Sequence, residues 1–264
     1  MLQLTNITKK FDRGDGSSIV ALDNVTAAFE PGEFCIVIGN NGSGKSTLLN
    51  AIEGTVLPDV GRVTWNQDGV AIVNSRERRT IVAKVHQNPA EGTAPTLTVA
   101  ENLCLAMLSP GKVSVRRLVT KSRLDSVRML LDELDIGMPR REDALVRHLS
   151  GGQRQGLAVH MAALRNPKVL LLDEHTAALD PDKASKIMEL TVRLWRERNL
   201  TVLMVTHDLR EAVMYGNRLI CLSHGRIVLD VKGEEKAKLT GAGLFELFKT
   251  KSAEGFVPDS SFML

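Results

Sequence analysis

Two kinds of hydrophobic pattern alternate along this chain. Short, mostly apolar runs occur at Phe34–Ile38, Val169–Leu172 and Thr201–Val205, as expected for central strands covered on both faces of a parallel sheet. Between them, apolar residues return every three or four positions, the period of an amphipathic helix. The clearest case has Leu124, Val127, Leu130, Leu131 and Leu134 on one side and Arg123, Asp125, Arg128 and Glu133 on the other. This alternation predicts an α/β fold, a mainly parallel sheet with helices on its faces. Two regions depart from it. The first forty residues, punctuated by Gly14, Gly16 and Pro31-Gly32, predict antiparallel strands and hairpins. From about Thr98 to Asn166 the helical period dominates, which predicts a helical subdomain inserted into the core. The expected organisation is one domain over 1–250. Its α/β core with an N-terminal β subdomain takes 1–97 and 167–250, the helical subdomain takes 98–166, and a weakly periodic tail takes 251–264.

Composition narrows the class. With 264 residues, 43% hydrophobic and 25% charged, the chain can bury a core and is not a disordered polymer. Its formal charge of +3 gives no argument for nucleic acid. The basic clusters Arg76/Arg78/Arg79, Arg116-Arg117 and Arg140-Arg141 have no interleaved aromatics and read as solvated faces; no nucleic-acid partner is expected. No run approaches the roughly 18 apolar residues of a membrane span, and the N-terminus has no basic start followed by an apolar stretch. Cys35, Cys104 and Cys221 stand singly among apolar neighbours, which suits buried reduced thiols in a cytosolic protein.

The chemistry begins after the first apolar run. Gly39-Asn40-Asn41-Gly42-Ser43-Gly44-Lys45-Ser46-Thr47 matches G-x-x-x-x-G-K-[ST], follows a predicted strand and opens a predicted helix that Gly54 can terminate. Glycines let successive backbone N–H groups converge on phosphate oxygens, and the helix N-terminus adds partial positive charge. Lys45 can reach the β- and γ-phosphates of a nucleotide, and the Ser46 hydroxyl can ligate Mg²⁺. A second element is Val169-Leu-Leu-Leu-Asp173-Glu174, two carboxylates at the carboxyl end of a buried strand, where open α/β sheets place ligands. Asp173 is placed to hold Mg²⁺, and Glu174 is the candidate general base for an attacking water.

A third string is Leu149-Ser150-Gly151-Gly152-Gln153-Arg154-Gln155. Ser150 followed three residues later by Gln153 is a capping-box pattern ahead of the apolar stripe Leu157, Met161 and Leu164. Such a helix N-terminus is also an anion site. The string resembles the signature of ABC-type ATPases, the nucleotide-binding subunits of ABC transporters, and the other family motifs follow in family order. Gln87 in Val-His-Gln-Asn-Pro is similar to the glutamine loop, Ala177-Ala-Leu179-Asp180 to the D-loop, and His207 in Val205-Thr-His-Asp208 to the switch histidine.

The resemblance implies the P-loop NTPase core of the ABC ATPase type, with ATP and Mg²⁺ as cofactors. It implies that Ser150, Gly151, Gly152 and Gln153 close over ATP held by a second copy, in a head-to-tail dimer, and that Asp180 is the aspartate of the D-loop. His207 would sense the γ-phosphate, Gln87 would contact Mg²⁺ or the lytic water, and Phe11 would stack on adenine, although Phe11 also reads as a hairpin aromatic. His86, His148, His160 and His224 show no metal-ligand spacing.

The implied function is the ATP-hydrolysing, energy-coupling subunit of a transporter, at the inner face of the plasma membrane. Its partners would be a second copy or paralogue, separate membrane permease subunits docking near Pro89 to Leu105, and, indirectly, a periplasmic or extracellular solute-binding protein. The C-terminal third resembles bacterial importers of amino acids of the tryptophan type. The alternative is an ABC-type ATPase not coupled to transport, for example in iron–sulfur assembly. Two positions depart from the family pattern. His175 stands where proline is usual, adding a titratable group beside Glu174, and Ala177 stands where serine is common.

Overall fold

A computed structural model of the chain describes residues 1–67, 70–108, 118–133 and 142–252. Strands β1 (Leu2–Asp12), β2 (Ser18–Phe29) and β3 (Phe34–Ile38) lead into helix α1 (Lys45–Glu53). Strands β4 (Val60–Gln67) and β5 (Val70–Ile72), helix α2 (Ser75–Ile81) and strand β6 (Val82–Val85) follow. Three helices come next, α3 (Val99–Ala106), α4 (Lys121–Glu133) and α5 (Gly151–Leu164). The last part runs β7 (Val169–Asp173), α6 (Pro181–Arg198), β8 (Thr201–Val205), α7 (Leu209–Met214), β9 (Arg218–Ser223), β10 (Arg226–Lys232), α8 (Glu234–Ala237) and α9 (Gly241–Ser252).

Six strands form one sheet in the order β10-β9-β3-β8-β7-β6, parallel except at β10. The expected antiparallel N-terminal layer is present, but β4 and β5 complete it in the order β2-β1-β4-β5. Period-two alternation fails on β4, where Val63, Thr64 and Trp65 are buried in succession. Gly61 explains the irregular start of the pairing: a Cβ there would lie 2.3 Å from the Thr5 carbonyl.

Strand alternation splits the core in two. On β3, Phe34, Ile36 and Ile38 face one side, with Leu170 and Leu172 of β7, under Val99, Val127, Leu157 and Ile187 from α3, α4, α5 and α6. Cys35, Val37 and Leu171 face the other side, against Leu48, Leu49 and Ile52 of α1 and Leu4, Phe29 and Trp65 of the antiparallel sheet. Each fully buried Leu, Ile or Phe contributes roughly 1.5–3 kcal/mol, so both faces of the parallel sheet are held by their own layer. Helices α1 and α5 thus cover opposite faces.

Gly54 ends α1 as expected, at φ 91, its N–H donating to the Asn50 carbonyl. Two further carbonyls of that terminus accept from arginines, Ala51 from Arg78 at 3.2 Å and Gly54 from Arg79 at 2.8 Å. Arg78 is therefore buried and structural, not part of a solvated face. Leu134, Arg116-Arg117 and Arg140-Arg141 lie outside the described residues. Of the expected tail, residues 251 and 252 belong to α9 and the rest lies outside them too. The three cysteines are buried free thiols.

Candidate functional site

The loop between β3 and α1 is shaped by glycines that neighbours forbid to carry side chains. A Cβ on Gly39 would lie 2.2 Å from the Leu222 carbonyl of β9, and one on Gly44 2.3 Å from the Ala21 carbonyl of β2. Gly42 and Gly44, at φ 76 and 105, hold the left-handed backbone that glycine adopts without steric cost. Lys45 is buried, and its ammonium donates to the carbonyls of Gly39 (2.6 Å) and Asn40 (2.9 Å). The Ser43 hydroxyl is buried without a hydrogen-bond partner, while Asn41, Gly42 and Ser46 are exposed and Thr47 is half-buried. The first N–H groups of α1 have no intrahelical acceptor, so loop and helix start together form an anion cradle.

At the carboxyl end of β7, Asp173 lies beside this cradle. Its Oδ1 is 3.5 Å from Ser46 Oγ, a hydroxyl–carboxylate pair of hard oxygens that suits Mg²⁺ completed by phosphate and water ligands. Its other oxygen is held by a cation: Lys84 Nζ is 3.1 Å from Asp173 Oδ2 and donates to Asn50 Oδ1 of α1 at 2.8 Å. The pairing of β6 with β7 sets Lys84 opposite Leu171, two residues before Asp173. Lys84 is unannounced in the sequence, where a lysine within Val-Ala-Lys-Val reads as the solvent side of a strand.

Glu174 follows at φ 48, a left-handed conformation unusual for a residue with a Cβ. Its Oε1 lies 2.5 Å from Nε2 of His207, two residues beyond the end of β8, and His207 Nδ1 is buried without a partner. His175 turns away from this pair. It is buried, with Nε2 3.4 Å from Thr191 Oγ1 of α6, and desolvation pushes its imidazole down to about 4. It is therefore neutral near pH 7 and faces α6, whereas its sequence position suggests a titratable neighbour for Glu174. Glu211, also missed from sequence, accepts from Thr176 Oγ1 at 3.0 Å and Thr206 Oγ1 at 2.5 Å.

The capping box at Ser150 is formed: Gln153 N–H donates to Ser150 Oγ (3.3 Å) and Ser150 N–H to Gln153 Oε1 (3.1 Å). Ser150 and Gly151 are exposed, and a Cβ on Gly152 would meet Lys183 Cδ at 2.6 Å. Lys183 is fixed by Asp180, which caps α6. The hydrogen bonds and ion pair from Lys183 hold the Asp180 carboxyl below the usual carboxylate range. Because α5 and α1 cover opposite faces of the sheet, Ser150 and Lys45 begin helices on different sides of one chain. Gln87 is exposed beyond β6, and Gln155 of α5 donates to the adjacent His86 carbonyl at 3.3 Å. Phe11 is exposed near the tip of the β1–β2 hairpin, with Lys9 Nζ 5.4 Å from its ring centroid. The structure thus brings together Lys45, Ser46, Asp173 and, alongside, Glu174 with His207; Ser150, Gln87 and Phe11 lie on separate elements.

Residues 22–177 match a family model described as ABC transporter. The chain is 43% identical to a tyrosine transport ATP-binding protein of Clostridioides difficile (strain R20291), over 94% of this chain and 99% of that one. The chain belongs to the ABC transporter family, as an ATP-binding subunit. It is 35% identical to a phosphonates import ATP-binding protein of Synechococcus sp., over 87% of this chain and 84% of that protein. Its fold superposes with a TM-score of 0.73, at 32% identity, on the ATP-binding cassette MJ0796, solved as a dimer in a post-hydrolysis state with ADP and Pi; the match covers 88% of this chain and 98% of that one. As a member of this family the ABC chain binds ATP and is an ATPase coupled to transport. Among the described residues, no helix is long and apolar enough to cross a membrane.

Proposed function

We propose that this subunit hydrolyses MgATP at the interface of a head-to-tail pair of copies and drives separate permease subunits, importing an amino acid of the tryptophan or tyrosine type. The observation that carries the reading is the meeting of Lys45, Ser46, Asp173, Glu174 and His207 at the carboxyl ends of β3, β7 and β8. Loop N–H groups from Gly39 to Thr47, with Lys45, would bind the β- and γ-phosphates, and Phe11 would lie against adenine. Ser46 and Asp173 would hold Mg²⁺, with Gln87 reaching it or the water; the ion supplies neutralising charge on the phosphate oxygens. In the conformation described, His207 Nε2 faces Glu174. With a γ-phosphate bound, the imidazole would turn its N–H to that anion, leaving Glu174 to orient the attacking water and accept its proton.

Opposite-face placement of α1 and α5 supports a composite site, with Ser150, Gly151, Gly152 and Gln153 of one copy facing nucleotide on the other and Asp180 nearby. The domain would divide as the periodicity suggests, with 98–166 as the helical part. A cleft of about 400 Å³ lined by Glu53, Glu91, Leu105, Met161 and Arg165 supports a permease segment docking beside residues 89–105, at the inner face of the plasma membrane. A periplasmic or extracellular solute-binding protein would deliver the solute to the permease. The relative named for tyrosine transport supports an amino-acid solute. Glu174→Gln tests the chemistry: turnover should fall by about 100-fold or more while ATP stays bound and the dimer persists in size-exclusion chromatography. Wild-type turnover would refute the base assignment.

A further inference from the structure

The residue proposed as base stands on a turn that its own conformation does not favour. Glu174 sits at φ 48, and a residue with a Cβ stays there only where its surroundings over-determine the backbone. Two backbone bonds help, Glu174 N–H to the Val205 carbonyl and Ala177 N–H to the Glu174 carbonyl, both 3.1 Å. Two side-chain anchors reach from this turn to other elements: His175 Nε2 lies 3.4 Å from Thr191 Oγ1 of α6, and buried Thr176, two residues on from Glu174, donates its hydroxyl to Glu211 Oε1 at 3.0 Å.

The same carboxylate holds the opposite turn. Thr206, buried and immediately before His207, donates to Glu211 Oε2 at 2.5 Å and accepts from Asp208 N–H at 3.1 Å. Glu211 is the third residue of α7, whose N-cap is Asp208. A glutamate at that position commonly reaches back to the N-cap N–H. Here the Thr206 hydroxyl has taken that N–H, and both Glu211 oxygens serve threonines. One side chain therefore ties the Glu174 turn to the His207 turn, and the two held residues meet at 2.5 Å.

We infer that Glu211 is a positioning residue: it locks the turn carrying Glu174 against the turn carrying His207, and ATP turnover depends on it without any contact to nucleotide. The inference rests on the reading of Glu174 as the base. If it holds, loss of the carboxylate lets the strained turn relax and misplaces the base relative to the γ-phosphate, whereas the anion cradle on α1 is untouched. Rate falls and nucleotide affinity does not.

The test compares Glu211→Ala, Glu211→Gln and Thr176→Val with the full-length wild type and with Glu174→Gln. Steady-state hydrolysis gives kcat and KM, a fluorescent ATP analogue gives affinity, and NMR of ring-labelled histidine reports His207. Expected are a kcat at least tenfold lower in Glu211→Ala with affinity within twofold of wild type and a shifted His207 resonance. Glu211→Gln should recover a large part of the rate, because the amide can still accept from Thr176 and donate to Thr206. If Glu211→Ala does not fold, Thr176→Val carries the same prediction through half of the clamp. Wild-type kcat in these variants, or kcat and affinity falling together with the His207 resonance unmoved, overturns the inference. A Glu174→Gln protein of normal turnover would instead overturn the base reading beneath it, whereas inactive Glu174→Gln beside fully active Glu211→Ala would sink this inference alone.

Discussion

Lys84→Met is the perturbation on which the electrostatics of the site can be judged most directly. The Lys84 side chain is 5% exposed and that of Asp173 15%, with Nζ 3.1 Å from Oδ2. Methionine keeps most of the aliphatic volume and removes only the ammonium. Removing one partner of a buried, hydrogen-bonded pair costs about 3–5 kcal/mol. Asp173 retains some contact with solvent and has Ser46 Oγ at 3.5 Å, which lowers the expected loss to about 2–3 kcal/mol. For a chain of this size that is a fall in Tm of about 4–6 °C. Urea unfolding without nucleotide or metal should be measured for Lys84→Met, Asp173→Asn and the double variant. Once the carboxylate charge is also gone, the second loss should be small, giving a coupling energy of about 1.5 kcal/mol or more. A single-variant cost below about 0.5 kcal/mol, or a coupling near zero, would refute the claim that Lys84 balances the Asp173 charge.

Burial pushes the imidazoles of both His160 and His175 down to about 4, so the unfolded chain, with ordinary histidines, binds more protons than the folded one. Stability should therefore fall as the pH drops from about 6.5 towards 4, by up to about 3 kcal/mol per imidazole. Urea unfolding checks this: a profile flat over that window, or one unchanged in a His160→Gln/His175→Gln protein, contradicts the burial argument. The composite site is tested in heterodimers carrying Ser150→Arg and Lys45→Ala. Placed in opposite protomers, the two changes should damage the same ATP site and leave the other whole; placed in one protomer they should damage both. The reverse pattern of residual hydrolysis would mean that Ser150 serves its own chain.

What could be read from the residues in order was whatever a short stretch of backbone demands of its own sequence. Apolar Phe34–Ile38, then glycines, then Lys45 and Ser46, spell strand, loop and helix start. Gly54 ends α1 with the left-handed turn that its missing Cβ permits, and Ser150 with Gln153 forms the capping box that its spacing allows. Each depends on neighbours within a few positions, so the local chain encodes it. Other features were decided only when distant segments met. Lys84 lies beside Asp173 because β6 pairs with β7 in one register and not the next. His175 turns into the core to face α6, where proximity in sequence had suggested a neighbour for the Glu174 carboxylate. Arg78 buries itself to satisfy the end of α1, and Glu211 reaches two turns at once. A charge or a hydroxyl takes as partner whatever lies within about 3 Å of it, and that is fixed by strand register and helix crossing, which no contiguous run of residues records.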